Sequence, residues 1–326
     1  MTQGFSLAAV RNTRECIDPY IITTPVHAWQ SGRLAQCIGD ATEVSLKLEL
    51  LQRTGTFKAR GALNVMLNLN ATERGQGVTA VSAGNHAIAV SWAAQRLGMS
   101  AKVVMLKSAN PFRIAAARSY GAEVEIAENG MLAFARAEEL QKTEGRVFVH
   151  PFEGINTSLG TATVSLEWLH QVPNLDVLII AVGGGGLISG MAGVAKLLRP
   201  EIEVYGVEPE GAAIMQASLE AGHPLSMYDS DTIADSLAPP FTTPLSFDLV
   251  RNNVDQLVQV SDQELRQAMQ LLFDDVKLVV EPAGAAATAA LCGPLKQRLS
   301  GRRVGVIVCG SNIDRSSFNV LLDPPS

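Results

Sequence analysis

Short apolar runs alternate with amphipathic segments along most of the chain. The opening pattern predicts a helix over residues 7–16, followed by an extended stretch through I-I-T-T-P-V-H. The run V-S-L-K-L-E-L-L at 44–51 reads as a strand. Just after it, Ala62, Leu63, Val65, Met66 and Leu69 recur at the spacing of one apolar helical face. From residue 74 the alternation is regular, with strands at 78–81, 101–106, 124–126 and 147–149 and helices over 86–97, 111–120 and 131–142. Pro111 opens one of these helices, at a position whose N–H would have no helical partner anyway. A second series places helices over 159–170, 187–198, 262–273 and 283–291, and strands at 177–182, 204–207 and 304–308. Strands that are apolar throughout, rather than alternating, suit parallel sheets covered on both faces. The expected fold class is therefore α/β, with two lobes, each a mostly parallel twisted sheet covered by helices. Residues 74–150 would form a small domain inserted in a large one made of 1–73 and 151–326.

Composition narrows the picture. The chain has 326 residues, 47% of them apolar, which is enough for a large core or for two domains sharing one. Aromatic residues make up only 5%, while glycine is abundant, as close helix-on-sheet packing requires. A net charge of -6 leaves no electrostatic footprint for nucleic acid or an anionic membrane. Cys16, Cys37, Cys292 and Cys309 form no C-x-x-C pair, so neither a disulfide framework nor a zinc site is expected. The amino-terminal residues lack the pattern of a signal peptide, and no apolar run reaches transmembrane length. The expectation is a soluble cytoplasmic protein with a small-molecule substrate.

Four stretches can carry chemistry. In T-G-T-F-K-A-R-G-A, Lys58 follows Phe57 at a strand-to-helix junction in small or apolar surroundings. Desolvation lowers a lysine pKa, and the neutral amine is the form that attacks a carbonyl. The run Gly183-Gly184-Gly185-Gly186-Leu187 lies between an apolar strand and a helix, where main-chain N–H groups and the helix end can cradle a phosphate. The turn Ser82-Ala83-Gly84-Asn85-His86 could receive a carboxylate or a phenolic oxygen, although Asn85 could equally serve as an ordinary helix cap. Cys309, in V-C-G-S-N, ends the last apolar strand, where α/β folds place ligands; Glu281 precedes a helix in V-V-E-P-A-G. A buried thiol acting as a small hydrophobe and a solvated helix-start acid are the plain alternatives for these two.

Taken in order, F-K-x-R-G-A, S-A-G-N-H-A, G-G-G-G-L and C-G-S-N resemble the serine/threonine dehydratase family of fold-type II pyridoxal-phosphate enzymes, which are tryptophan synthase beta-like, along essentially the whole chain. The resemblance implies pyridoxal 5'-phosphate as cofactor, with Lys58 as the catalytic Schiff-base lysine. It implies cofactor contacts from Phe57, Asn85, Gly183, Gly184, Gly185, Gly186, Leu187, Glu281 and Cys309. It assigns Ser82, Ala83, Gly84, Asn85 and His86 to the substrate. Lys58 would also take the α-proton, so that loss of a β-hydroxyl yields a 2-oxo acid and ammonia. L-threonine or L-serine is the substrate implied, with 3-hydroxyaspartate or a bulkier β-hydroxy amino acid as alternatives, and a homodimer is the implied assembly.

The sequence also departs from this family. Racemases of the group carry a serine as second acid/base where this chain has Ala83, which cannot move a proton. Their cation-binding Glu is matched by Glu208, but the partnering Asp falls at about Ile214, so no metal is expected. With few residues after Asn312, feedback control through the regulatory domain of the biosynthetic threonine enzymes is not expected. Gly184-x-Gly186 with Glu208 also imitates part of a nicotinamide dinucleotide fingerprint, which leaves an oxidoreductase as the rival from another class. A catalytically silent cofactor-binding protein is a third reading. The segment 233–244, with Phe241 and three prolines from Pro239 to Pro244, is expected to be a rigid loop beside the substrate side chain.

Overall fold

The computed structural model describes residues 4–227 and 229–323. Among the described residues, ten strands form two sheets. The first contains β1 (Val26–Trp29), β2 (Glu43–Lys47), β7 (Val177–Ala181), β8 (Glu203–Pro209), β9 (Gln256–Val260) and β10 (Arg303–Ile307), in the order β1-β2-β10-β7-β8-β9. All its pairings are parallel except β1 with β2. The second contains β3 (Val78–Ser82), β4 (Ala101–Leu106), β5 (Glu123–Ala127) and β6 (Val147–Phe148), in the order β5-β4-β3-β6, parallel throughout. The strands of the small sheet are contiguous in sequence and fall between β2 and β7 of the large one.

The large sheet is buried on both faces: every residue of β7 is covered, and Trp168, Ile188, Val204, Val306 and Ala286 share its core. This explains why its central strands read as unbroken apolar runs. β1 and β9 are absent from the sequence reading for the complementary reason. They are edge strands of four and five residues with two exposed positions each, so their apolar signal is broken. The strand expected over 44–51 stops at Lys47, and Glu49–Leu51 is a 3-10 turn. That turn places Glu49 inside the protein, where Arg60 donates to it at 2.7 and 2.9 Å. Lys47 is buried too, donating to Glu167 at 2.5 Å and to Thr24 O at 2.8 Å. Arg60 also pairs with Glu167 at 3.1 Å. These paired charges lie beneath the helix Lys58–Leu67 and tie it to β2 and to the helix Ile155–Gln171. Burying such charges is tolerable only because each has a partner. Among the described residues no helix is long and apolar enough to cross a membrane.

Candidate active site

The glycine run follows β7 and leads into the helix Gly186–Leu198. Its composition is dictated by its neighbours. A Cβ on Gly184 would strike the ring of Phe152, one on Gly186 would lie 2.7 Å from Phe152 Cα, and one on Gly183 would lie 3.1 Å from Leu237 Cα. Gly185 adopts φ +89°, a left-handed conformation that a side chain disfavours. The loop thus exposes bare main chain at a helix N-terminus, whose first N–H groups have no helical partner and whose dipole end is positive. A phosphate group fits such a cradle.

Lys58 is the first residue of its helix and faces the same cavity. Its Nζ donates to Pro151 O at 2.6 Å and lies 5.3 Å from the Phe57 ring centroid. Burial lowers the amine to about 8, with Cys309 and Glu281 opposing the shift. The segment is held by the chain's last functional stretch: Phe57 N donates to Cys309 O at 3.3 Å, and Ser311 N donates to Gly55 O at 3.0 Å. Two regions some 250 residues apart in sequence are therefore one structural unit. Cys309 is buried and its Sγ donates to Ala283 O at 3.4 Å. Burial, with the neighbouring Glu281, pushes the thiol up, so this position presents a neutral group.

The Ser82–His86 turn leaves the end of β3 and begins the helix Asn85–Leu97. Gly84 N donates to Ser82 Oγ at 2.9 Å. The side chains that the sequence places around a ligand are partly engaged within the protein. His86 Nε2 donates to Val149 O at 2.7 Å, and burial together with Lys58 lowers its pKa to about 3, so the ring stays neutral. Asn85 Nδ2 donates to Glu281 Oε1 at 2.6 Å, while its Oδ1 accepts from Asn312 at 2.8 Å. What the turn offers a ligand is chiefly the N–H groups of the first helical turn.

Glu281 is no solvated helix-start acid. It is buried at the start of the helix Pro282–Cys292 and lines the cavity. Burial raises it to about 7, against the opposing pull of Arg113. Arg113, which the sequence reading missed, comes from the helix Pro111–Ser119 beside the small sheet. It donates to Glu281 at 2.9 Å, to Asp235 at 2.5 Å and to Asn312 O at 2.8 Å. Its side chain fills the space beside Gly84, where a Cβ would strike its Cδ.

An aromatic wall was missed as well. Phe134 and Phe152 line the cavity together with Pro239 and Pro240. Phe241 stands behind them, its ring centroid 5.4 Å from Phe134 and 5.7 Å from Phe152, with the His150 ring edge-on to Phe152 at 4.6 Å. The sequence held a hint of it: Phe148, His150 and Phe152 alternate in a chain otherwise poor in aromatics. The segment 233–244 does border the cavity, through residues 235–240, and contains a 3-10 turn at Asp235–Leu237.

Glu208 is withdrawn from ligands. Its two oxygens accept from Met215 N and Gln216 N, both at 2.8 Å, capping the helix Ile214–Ala221, and burial raises it to about 7. The acid that imitates a ribose-binding residue is thus occupied within the protein.

Comparisons with known proteins agree with this geometry. Residues 17–310 match the family described as pyridoxal-phosphate dependent enzyme. The chain is 52% identical to the phenylserine dehydratase of Ralstonia pickettii over 96% of its own length and 94% of that protein's. It is 40% identical to the L-threonine ammonia-lyase of Thermotoga maritima, over 86% of this chain and 70% of that one. The structure of maize serine racemase superposes with a TM-score of 0.91 at 33% identity, covering 96% of this chain and 95% of that one. The glycine cradle, the buried lysine and these similarities lead to one assignment: the chain belongs to the serine/threonine dehydratase-like group of fold-type II pyridoxal-phosphate enzymes, and its cofactor is pyridoxal 5'-phosphate.

Proposed function

We propose that this protein is a dehydratase that converts a β-hydroxy amino acid to a 2-oxo acid and ammonia, and that it favours an aromatic β-substituent over the methyl of threonine or the hydrogen of serine. The observation that carries the preference is the wall of Phe134, Phe152, Pro239 and Pro240 facing the Lys58 cavity. A ring set against Phe134 and Phe152 gains both apolar burial and edge or offset stacking. The similarity to a phenylserine dehydratase supports the same reading. It departs from the threonine or serine implied by the motifs alone.

The cofactor, when bound, supplies an electron sink for the substrate's α-carbon. The N–H groups of the glycine loop would hold its phosphate, and those of Asn85 and His86 would receive the substrate carboxylate. Lys58 holds the cofactor in the absence of substrate and, once free, takes the α-proton at Nζ. With its pKa near 8, a useful fraction of the amine is unprotonated near neutrality. A neutral thiol at Cys309 would not help to hold a proton on the bound cofactor, which would then be a weaker electron sink, suited to prompt loss of the β-hydroxyl. The enamine set free then hydrolyses. Ala83 lines the cavity and has no proton to give, which weighs against racemisation. The division into residues 1–73 with 151–326 and an inserted 74–150 domain belongs to this proposal. Its support is the contiguity of the small sheet, and it would let Arg113 clasp the two domains over the cavity.

The test compares kcat/KM for L-phenylserine and L-threonine, following 2-oxo acid release in the wild type and in Lys58→Ala. We expect phenylserine to be preferred and the variant to lose turnover on both. Retained deamination by Lys58→Ala would overturn the mechanism, and a tenfold preference for threonine would overturn the aromatic pocket.

A further inference from the structure

A second site lies away from the cavity, on the outer side of the large sheet. Cys37, in the helix Gly32–Ile38, and Cys292, the last residue of the helix Pro282–Cys292, are 255 positions apart in sequence, yet both line one open pocket. The two helices that carry them pack against each other. Both are free and partly exposed, whereas Cys16 is exposed elsewhere and Cys309 is buried in the active site. The pocket is wide enough for a small molecule, and Arg33, Gln267, Gln270, Glu264 and Asp274 share its lining with the two cysteines, Arg33 paired to Asp274 at 2.8 Å.

We propose that Cys37 and Cys292 form a redox-active dithiol, closed reversibly to a disulfide by a hydroperoxide. Closing a loop of this length is the costly condition for such a bond, and the fold has already met it by packing the two helices together and bringing both cysteines to one pocket. The steps balance with the peroxide as the only oxidant. The Cys37 thiolate attacks the terminal oxygen, the O–O bond breaks, and Cys37 becomes a sulfenic acid as water or an alcohol leaves. Cys292 Sγ then attacks the Cys37 sulfur, loses its proton and displaces hydroxide, giving the S–S bond and a second water. Two electrons pass from the sulfur pair to the peroxide.

The roles follow from the surroundings. Burial and the adjacent Cys37 raise the Cys292 thiol, so it is the poorer initial nucleophile and the natural resolving group, while Lys296 opposes that shift. A small thiol reductant reaching the pocket reverses the bond. The bond would tie the end of the helix that begins at Glu281 to the helix Gly32–Ile38. A crosslink there can stiffen the support of the active site without touching the cavity.

The experiment uses the holoenzyme, treated with hydrogen peroxide, alkylated at its free thiols and digested for mass spectrometry. We expect a linked pair of peptides carrying Cys37 and Cys292 that dithiothreitol separates. In Cys292→Ser we expect Cys37 to be trapped instead as a sulfenic acid adduct, with turnover of the untreated variant unchanged. Peroxide that leaves both thiols alkylatable, or that carries each separately to sulfinic acid in the wild type, would overturn the proposal. Because the readout is a covalent link, its failure leaves the dehydratase reading intact, and the reverse also holds.

Discussion

The two sides of the cavity are built from different material. The side proposed for the cofactor is main chain: a glycine loop between β7 and its helix, closed so tightly that a Cβ on Gly184 or Gly186 would strike Phe152. The side proposed for the substrate is side chain: Phe134, Phe152, Pro239 and Pro240, contributed by separate segments and backed by Phe241. A main-chain site constrains every residue that forms it, because each position must leave the backbone bare. A side-chain wall constrains only shape and apolarity, which many residues can satisfy. The first is therefore written into consecutive letters of the sequence, while the second is spread over a hundred residues.

Glu281 and Arg113 lie where the two sides meet, and the largest effect is expected there. Glu281 is raised from 4.5 to about 7, chiefly by burial. A raised carboxyl binds its proton more tightly in the folded than in the unfolded protein. Its contribution to stability is thus complete below pH 4.5 and is lost as pH rises through 7. The size is roughly 3 kcal/mol at 1.36 kcal/mol per pKa unit. Glu281→Gln removes that titration, so the variant should lose less stability than the wild type between pH 4.5 and 8. Urea midpoints at the two ends of that window check it. Parallel profiles would mean that Glu281 is ionised throughout, held by Arg113.

On the cofactor side, Gly184→Ala sets a methyl group against the Phe152 ring. Overpacking of this kind costs about 1–3 kcal/mol, so cofactor affinity should fall by about 5–150-fold. The loss would be read from the cofactor's absorption during titration. Full affinity in this variant would show that the loop yields and that its glycines are not forced by packing.

What was legible in the sequence follows the same division. Lys58, the glycine run, the Ser82–His86 turn and Cys309 all converge on one cavity, as their order along the chain implied. The parallel central strands were legible because burial on both faces leaves them wholly apolar. β1 and β9 were not, since exposed edge positions dilute the pattern. Glu208 resembled a ribose ligand because sequence records its distance from the glycines and not that Met215 N and Gln216 N already occupy it. Arg113 gave no signal: an arginine in a helix looks solvated until the fold sets it against Glu281 and Asp235. The contact of Cys37 with Cys292 was invisible for the same reason, since no local spacing encodes it.

The smallest effect falls on the substrate side and separates the two materials most cleanly. Phe134 borders the cavity from the helix Gly130–Glu144, with Phe241 at 5.4 Å and Phe148 at 6.1 Å. Removing one aromatic partner forfeits about 0.5–1.5 kcal/mol of ring-to-ring contact. Phe134→Ala should therefore lower kcat/KM for phenylserine about 2–12-fold while leaving threonine, which has no ring to stack, near its wild-type value. Phe134 is not among the side chains that a Cβ on Gly183, Gly184, Gly185 or Gly186 would meet, so cofactor absorption should stay the same. A fall on both substrates alike would make Phe134 a general support of the cavity. An unchanged ratio would move the aromatic site onto Phe152, whose ring also packs on the phosphate loop and so cannot vary without disturbing the cofactor side.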